Sequence, residues 1–176
     1  MVAFDASFLI LVFDPNAVSK YSVPRLQERI DLFVAALAKS RTKILIPTPA
    51  LSEFLTKADK SILEQINDSA LVQIAPFDER AAIEAAEMTK NAIRESDKKD
   101  PVVAATWSKI KFDRQIVAIA KVANVTTIYS TDPHIAKHAQ QVGIMTQTIE
   151  DLPEAPTVQQ KLDYGENPSE ATTSGN

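Results

Sequence analysis

Four acidic residues stand where carboxylates can act together: Asp5 in FDAS, Glu53 in PALSEFL, Asp113 in KFDRQIVAIA and Asp132 in YSTDPHI. Asp5 interrupts the apolar run MVAFDASFLILVF, where an ionised carboxylate is costly unless it is paired or ligated. Glu53 has a plainer reading as part of a solvated helical face, with Lys57 as its i+4 partner. Asp113 and Asp132 each open what reads as a helix, and Asp is an ordinary N-cap because its carboxylate accepts first-turn N–H groups. Asp132 is followed by Pro133, a residue suited to the first helical position. Singly, none of the four is strong evidence of a site. Four carboxylates on one edge, however, repel one another unless a cation holds them. A carboxylate set without Cys selects hard cations, Mg²⁺ or Mn²⁺.

The apolar pattern supplies the elements that must position them. Short buried strands are expected at VAF (2–4), KILIP (43–47), LVQIAP (71–76), TTIYS (126–130) and MTQTI (145–149). Helical patterns lie between. One follows Asp5 through Phe13, and RLQERIDLFVAALAKS (25–40) carries Leu26, Ile30, Phe33, Val34 and Leu37 at helical spacing. Thr48 reads as the cap of a third helix with Pro49 at its first position, and further helices are expected over about 61–67 and 78–96. DPNAVSKYSVP (14–24) reads as a loop and SDKKDP (96–101) as a break. Two helices are expected after the break, 102–110 and 113–123, the second with Phe112, Ile116, Ile119, Ala120 and Ala123 on one face. DPHIAKHAQQV, capped by Asp132, is the last. Strands alternating with helices predict an α/β fold of three layers, α/β/α, around a central parallel sheet. Such sheets bind ligands outside the carboxyl ends of their strands. Asp5 and Asp132 end strands, Asp113 opens a neighbouring helix, and Glu53 follows the second strand, so one edge holds all four.

At 176 residues, 45% hydrophobic and 24% charged, the chain reads as one soluble domain over 1–152. From 153 to 176 the composition turns to Pro, Gln, Ser, Thr, Glu and Gly, and a flexible C-terminal tail is expected. The absence of cysteine excludes disulfides and thiolate zinc sites and suits a reducing compartment. The first thirteen residues lack a basic n-region and a cleavage site and are too short to span a bilayer. A cytoplasmic location without membrane association is expected. A net charge of −4 gives no global attraction for nucleic acid. Residues 90–114 differ: seven bases against four acids leave +3.

In order and spacing the acids resemble the PIN-domain nucleases, a family that includes the ribonuclease toxins of toxin–antitoxin pairs. FDAS matches the family's early Asp with a hydroxyl residue two positions on. Glu53 matches its helical Glu, DRQIVAIA its D-x-x-I-x-A-x-A helix, and YSTD its last acid after a strand. The similarity runs from about Val2 to Gln147, and the block FDRQIVAIA with IYSTD is its most specific part. Many members carry a further Asp two residues past the last acid, where His134 stands here.

The resemblance implies a PIN-like fold and metal-dependent hydrolysis of phosphodiester bonds in RNA. Asp5, Glu53, Asp113 and Asp132 are then the catalytic residues and the ligands of one or two Mg²⁺ or Mn²⁺ ions. Ser7 and Thr131 orient carboxylates or water, with His134 beside them. Lys111 and Arg114, flanking Asp113 in the basic window, are the expected phosphate contacts. As partners the resemblance admits an RNA substrate, an antitoxin protein and a second copy of the chain, joined through 25–40 and 48–58. A haloacid-dehalogenase-type phosphatase is excluded because DAS lacks the second Asp of D-x-D, and a receiver domain because no early acidic pair is present. The remaining alternative is a PIN-like module that binds RNA or protein without cleaving it.

Overall fold

Five short apolar runs form the sheet: β1 (Val2–Phe4), β2 (Ile44–Pro47), β3 (Val72–Ala75), β4 (Thr127–Tyr129) and β5 (Met145–Gln147). All neighbours pair in parallel, in the order β3-β2-β1-β4-β5. The computed structural model describes residues 1–58, 60–94 and 107–154. The expected tail from 155 onward, the helix start at 102, and Lys98 and Lys99 lie outside the described residues.

The pleat divides the core into two layers, because successive strand side chains alternate faces. On one side Val2 and Phe4 of β1, Ile44 and Ile46 of β2 and Tyr129 of β4 meet α1 (Ala6–Phe13) and α2 (Leu26–Lys39). Rings of Phe4, Phe8, Phe33 and Tyr129 cluster there, their centroids 4.6 to 6.2 Å apart. On the other side Ala3, Leu45 and Ile128 meet α5 (Glu79–Arg94), α6 (Trp107–Val122) and α7 (Pro133–Gln141). The small residues Ala3, Ala118 and Ala120 let α6 lie close to the sheet there. Between the two halves of the chain run α3 (Thr48–Leu55) and α4 (Lys60–Asp68). The fold is therefore the expected three-layer α/β/α arrangement. Arg29 of α2 is buried and donates to the Leu152 and Glu150 carbonyls, the latter at 2.8 Å, holding the end of the domain against the first layer. Among the described residues no helix is long and apolar enough to cross a membrane.

Several local expectations change. The loop at 14–24 contains a 3-10 turn, Pro15–Lys20, entered through Asp14, whose carboxylate accepts from Asn16 N at 2.9 Å. Thr48 is the first residue of α3 rather than its cap; its hydroxyl instead accepts from Phe77 N at 3.2 Å. Most important, α6 runs unbroken from Trp107 to Val122, with no second helix starting at Asp113. Neither Gly nor Pro stands in that span, so nothing interrupts its hydrogen bonding. It stops where Asn124 takes φ +56° and Val125 N returns to Ala120 O at 2.9 Å. Phe112, expected on the buried face with Ile116 and Ile119, is 53% exposed.

Candidate active site

Strand β1 connects outward to β2 on one side, while β4 lies on its other side, so the β1–β4 boundary is the topological switch point. Asp5 emerges from β1 and Asp132 from the turn after β4, one on each side of that boundary. Asp5 takes the N-cap position of α1, yet its carboxylate does not cap. Its Oδ2 instead accepts from Ser7 Oγ at 3.0 Å and from Ser130 Oγ at 2.8 Å. Each hydroxyl is engaged twice: Ser7 Oγ accepts from Thr131 N and Ser130 Oγ from Asp132 N, both at 3.0 Å. Two serines thereby lock the β1 exit to the β4 exit. Ser7 meets the Asp5 carboxylate directly. Thr131 takes part through its backbone N–H, and the second hydroxyl on Asp5 is that of Ser130, which sequence reasoning missed.

Asp132 does cap α7: its Oδ1 accepts from His134 N at 2.9 Å. Its Oδ2 takes the ammonium of Lys109 at 2.7 Å. Burial raises the affinity of Asp132 for a proton, but the hydrogen bonds from Lys109 and His134 more than offset it, so the carboxyl titrates below its ordinary value. His134 contributes here through its backbone N–H.

Asp113 is the distinctive residue. A helix that precedes a parallel strand runs antiparallel to it, which brings the first half of α6 to the carboxyl edge of the sheet. Asp113, the seventh residue of α6, is 5% exposed, and its Oδ2 is buried without a hydrogen-bond partner. A mid-helix position excludes the N-cap reading. Burial first, then the charges of Asp132, Asp5 and Glu53, push its carboxyl up to about 7, with Lys109 acting in the opposite sense. Glu53 is exposed on α3 across the opening. All four acids line one cavity of about 910 Å³, together with Ser7 and Lys109.

The expected phosphate contacts fall elsewhere. Arg114 is 8% exposed and turned into the α5–α6 interface, where it donates to Thr89 Oγ1 at 3.3 Å. Lys111 is exposed on another face of α6, and neither residue lines the cavity. The reason is the 100° advance per residue: Lys109 and Asp113, four apart, share a face that residues 111 and 114 do not. Lys109 is thus the basic residue of α6 at the acids, and helical periodicity alone would have found it. His138 of α7 is 6% exposed, with Nδ1 3.4 Å from Gln141 Oε1. Burial pulls its proton affinity down.

The donor set fits a hard cation: four carboxylates, no thiolate, and a buried Asp113 oxygen lacking any protein donor. The fit is not pre-closed. Among the described residues no three His, Asp or Glu side chains already stand as a coordinating group. Lys109 holds the Asp132 oxygen, and without a cation the acids repel one another.

A parallel five-stranded sheet in this order, with acids gathered at the β1–β4 switch point, is a PIN-like α/β fold. No protein-family model and no curated protein matches the sequence. Among solved structures, the chain is similar to a chain of VapBC2 from Rickettsia felis, solved bound to a promoter DNA fragment. That match has a TM-score of 0.55 and 13% identity over 84% of this chain and 98% of that one. It is also similar to a chain of DNA-bound VapBC from Salmonella typhimurium, with a TM-score of 0.51 and 14% identity over 84% and 97% of the two chains. At such identity the likeness establishes the fold.

Proposed function

We propose that the protein is a metal-dependent ribonuclease that hydrolyses phosphodiester bonds at the acid-lined cavity. The observation that carries this reading is Asp113: a carboxylate in the middle of α6, buried, with an oxygen that no protein group satisfies. A buried carboxylate of this kind needs a cation or a proton. Asp5, Glu53, Asp113 and Asp132 would hold Mg²⁺ or Mn²⁺. A bound ion of this type lowers the pKa of a water and neutralises charge on phosphoryl oxygens.

The chain's own residues do the rest. Ser7 and Ser130 fix the Asp5 carboxylate through one oxygen, leaving the other outside that pair of bonds. Capping of α7 fixes Asp132 through its Oδ1. Rigid carboxylates on helix and strand ends hold the reacting groups in place, which is where much of a hydrolytic rate enhancement arises. No side-chain nucleophile is required. Lys109 supplies positive charge at the acids, with Lys20 and Lys57 on the cavity wall, a local counterweight to a chain of net charge −4.

An antitoxin-like partner protein belongs to the same reading, because both similar structures are VapBC assemblies. The reading is tested by incubating purified protein with a mixed RNA pool and Mg²⁺ or Mn²⁺. Cleavage that is abolished by EDTA and by Asp5→Asn is the expected result. RNA bound but left intact by the wild-type protein would make the chain a non-cleaving module.

A further inference from the structure

Both oxygens of Asp132 are engaged, Oδ1 by the α7 N-terminus and Oδ2 by Lys109 at 2.7 Å. Lys109 reaches Asp132 from α6 across the face it shares with Asp113, and it lines the same cavity. Asp113 and Glu53 line that cavity with it. One positive charge thus sits among three of the four acids. Its side chain is nevertheless 48% exposed, so it reaches solvent as well as the acids.

We propose that Lys109 is the resident cation of the acid site, holding Asp132 until a divalent ion enters and then moving to a phosphate of the substrate. The inference rests on the metal-site reading above. A divalent ion using Asp132 Oδ2 must displace an ammonium at hydrogen-bonding distance, and two cations cannot share that oxygen without strong repulsion. Lys109 therefore weakens metal binding in the absence of substrate. Once displaced, it stands beside the cavity as a charge suited to a phosphate. Metal and RNA should then bind with mutual reinforcement, since each removes a cost to the other.

The test uses the full chain and Mn²⁺ alone, titrated by calorimetry without RNA, for wild type, Lys109→Gln and Lys109→Arg. Lys109→Gln should bind Mn²⁺ about tenfold tighter, the order expected for removing one partly screened unit charge at short range. Lys109→Arg, which keeps the charge, should stay within about twofold of wild type. With a defined RNA oligonucleotide at saturating Mn²⁺, Lys109→Gln should raise KM more than it lowers kcat. Equal or weaker Mn²⁺ binding by Lys109→Gln overturns the proposal while the metal site stands. No Mn²⁺ binding by wild type or variant overturns the metal reading and the proposal with it.

Discussion

Asp113→Asn in metal-free protein should stabilise the fold, and by an amount that depends on pH. The wild-type carboxyl is pushed from its ordinary 3.8 up to about 7. Between those values the folded chain binds this proton more tightly than the unfolded chain does, so the contribution of Asp113 to stability falls as pH rises through the window. At about 1.36 kcal/mol per pH unit, the gap corresponds to at most about 4 kcal/mol against the ionised form at pH 8. Relaxation of the surroundings around the charge brings the expectation to about 2 kcal/mol. Asn keeps the shape and removes the charge, so its advantage should be about 2 kcal/mol at pH 8, somewhat under half of that at pH 5, and close to zero only once pH falls below the ordinary 3.8. For a chain of this size that is roughly 4–8 °C in melting temperature. Thermal melts of both proteins in EDTA at pH 5, 6, 7 and 8 measure it. Taking the difference at each pH cancels the other titrations. His138, held neutral by burial, is one of these: it loses stability as pH falls through its ordinary 6.5. With Mn²⁺ at a hundredfold excess over Kd the order should reverse, wild type gaining about 2.7 kcal/mol and the variant much less. An Asn advantage that is constant across pH, or an Asn variant less stable at pH 8, would refute the view that Asp113 carries an uncompensated buried charge.

Ser130→Ala removes the hydroxyl that joins Asp5 to Asp132 N and should cost about 1–2 kcal/mol in urea unfolding, with reduced RNA cleavage. Arg114→Ala should destabilise by about 1–3 kcal/mol through lost packing between α5 and α6, whereas Lys111→Ala should stay within about 0.5 kcal/mol. Similar melting temperatures for the two variants would contradict the burial assigned to Arg114. Removing residues after Gln159 should leave melting temperature and cleavage nearly unchanged, on the composition of that segment; a marked fall in either would show that it contributes to the domain.

Much of the framework is legible in the sequence because the strands are short and apolar and alternate with helical patterns. A charge at Asp5 inside a run of hydrophobic residues points to a site, while the Asp132–Pro133 pair marks the start of α7. What failed was local and has physical causes. A helix start is expected at Asp113 because Asp commonly caps; with no breaker between Trp107 and Val122, continuity of the helix prevails, and packing of Ile116, Ala118 and Ala120 on the sheet sets its register. Ser130 and Thr131 are adjacent hydroxyl residues, and which of them meets Asp5 depends on how the chain leaves β4, which spacing does not encode. Lys109 was legible and overlooked: proximity in sequence favoured Lys111 and Arg114, while the helical period favours the residue four before Asp113. The order of the strands, and with it the switch point, emerges only in three dimensions.

Crystals soaked in Mn²⁺ and measured at a wavelength where manganese scatters anomalously test most directly whether the four carboxylates form one cation site. The expected result is an anomalous peak in the cavity within coordinating distance of Asp113 Oδ2 and Asp5, lost in crystals of Asp113→Asn. A cavity with no peak at millimolar Mn²⁺, or a peak that persists unchanged in Asp113→Asn, would contradict it.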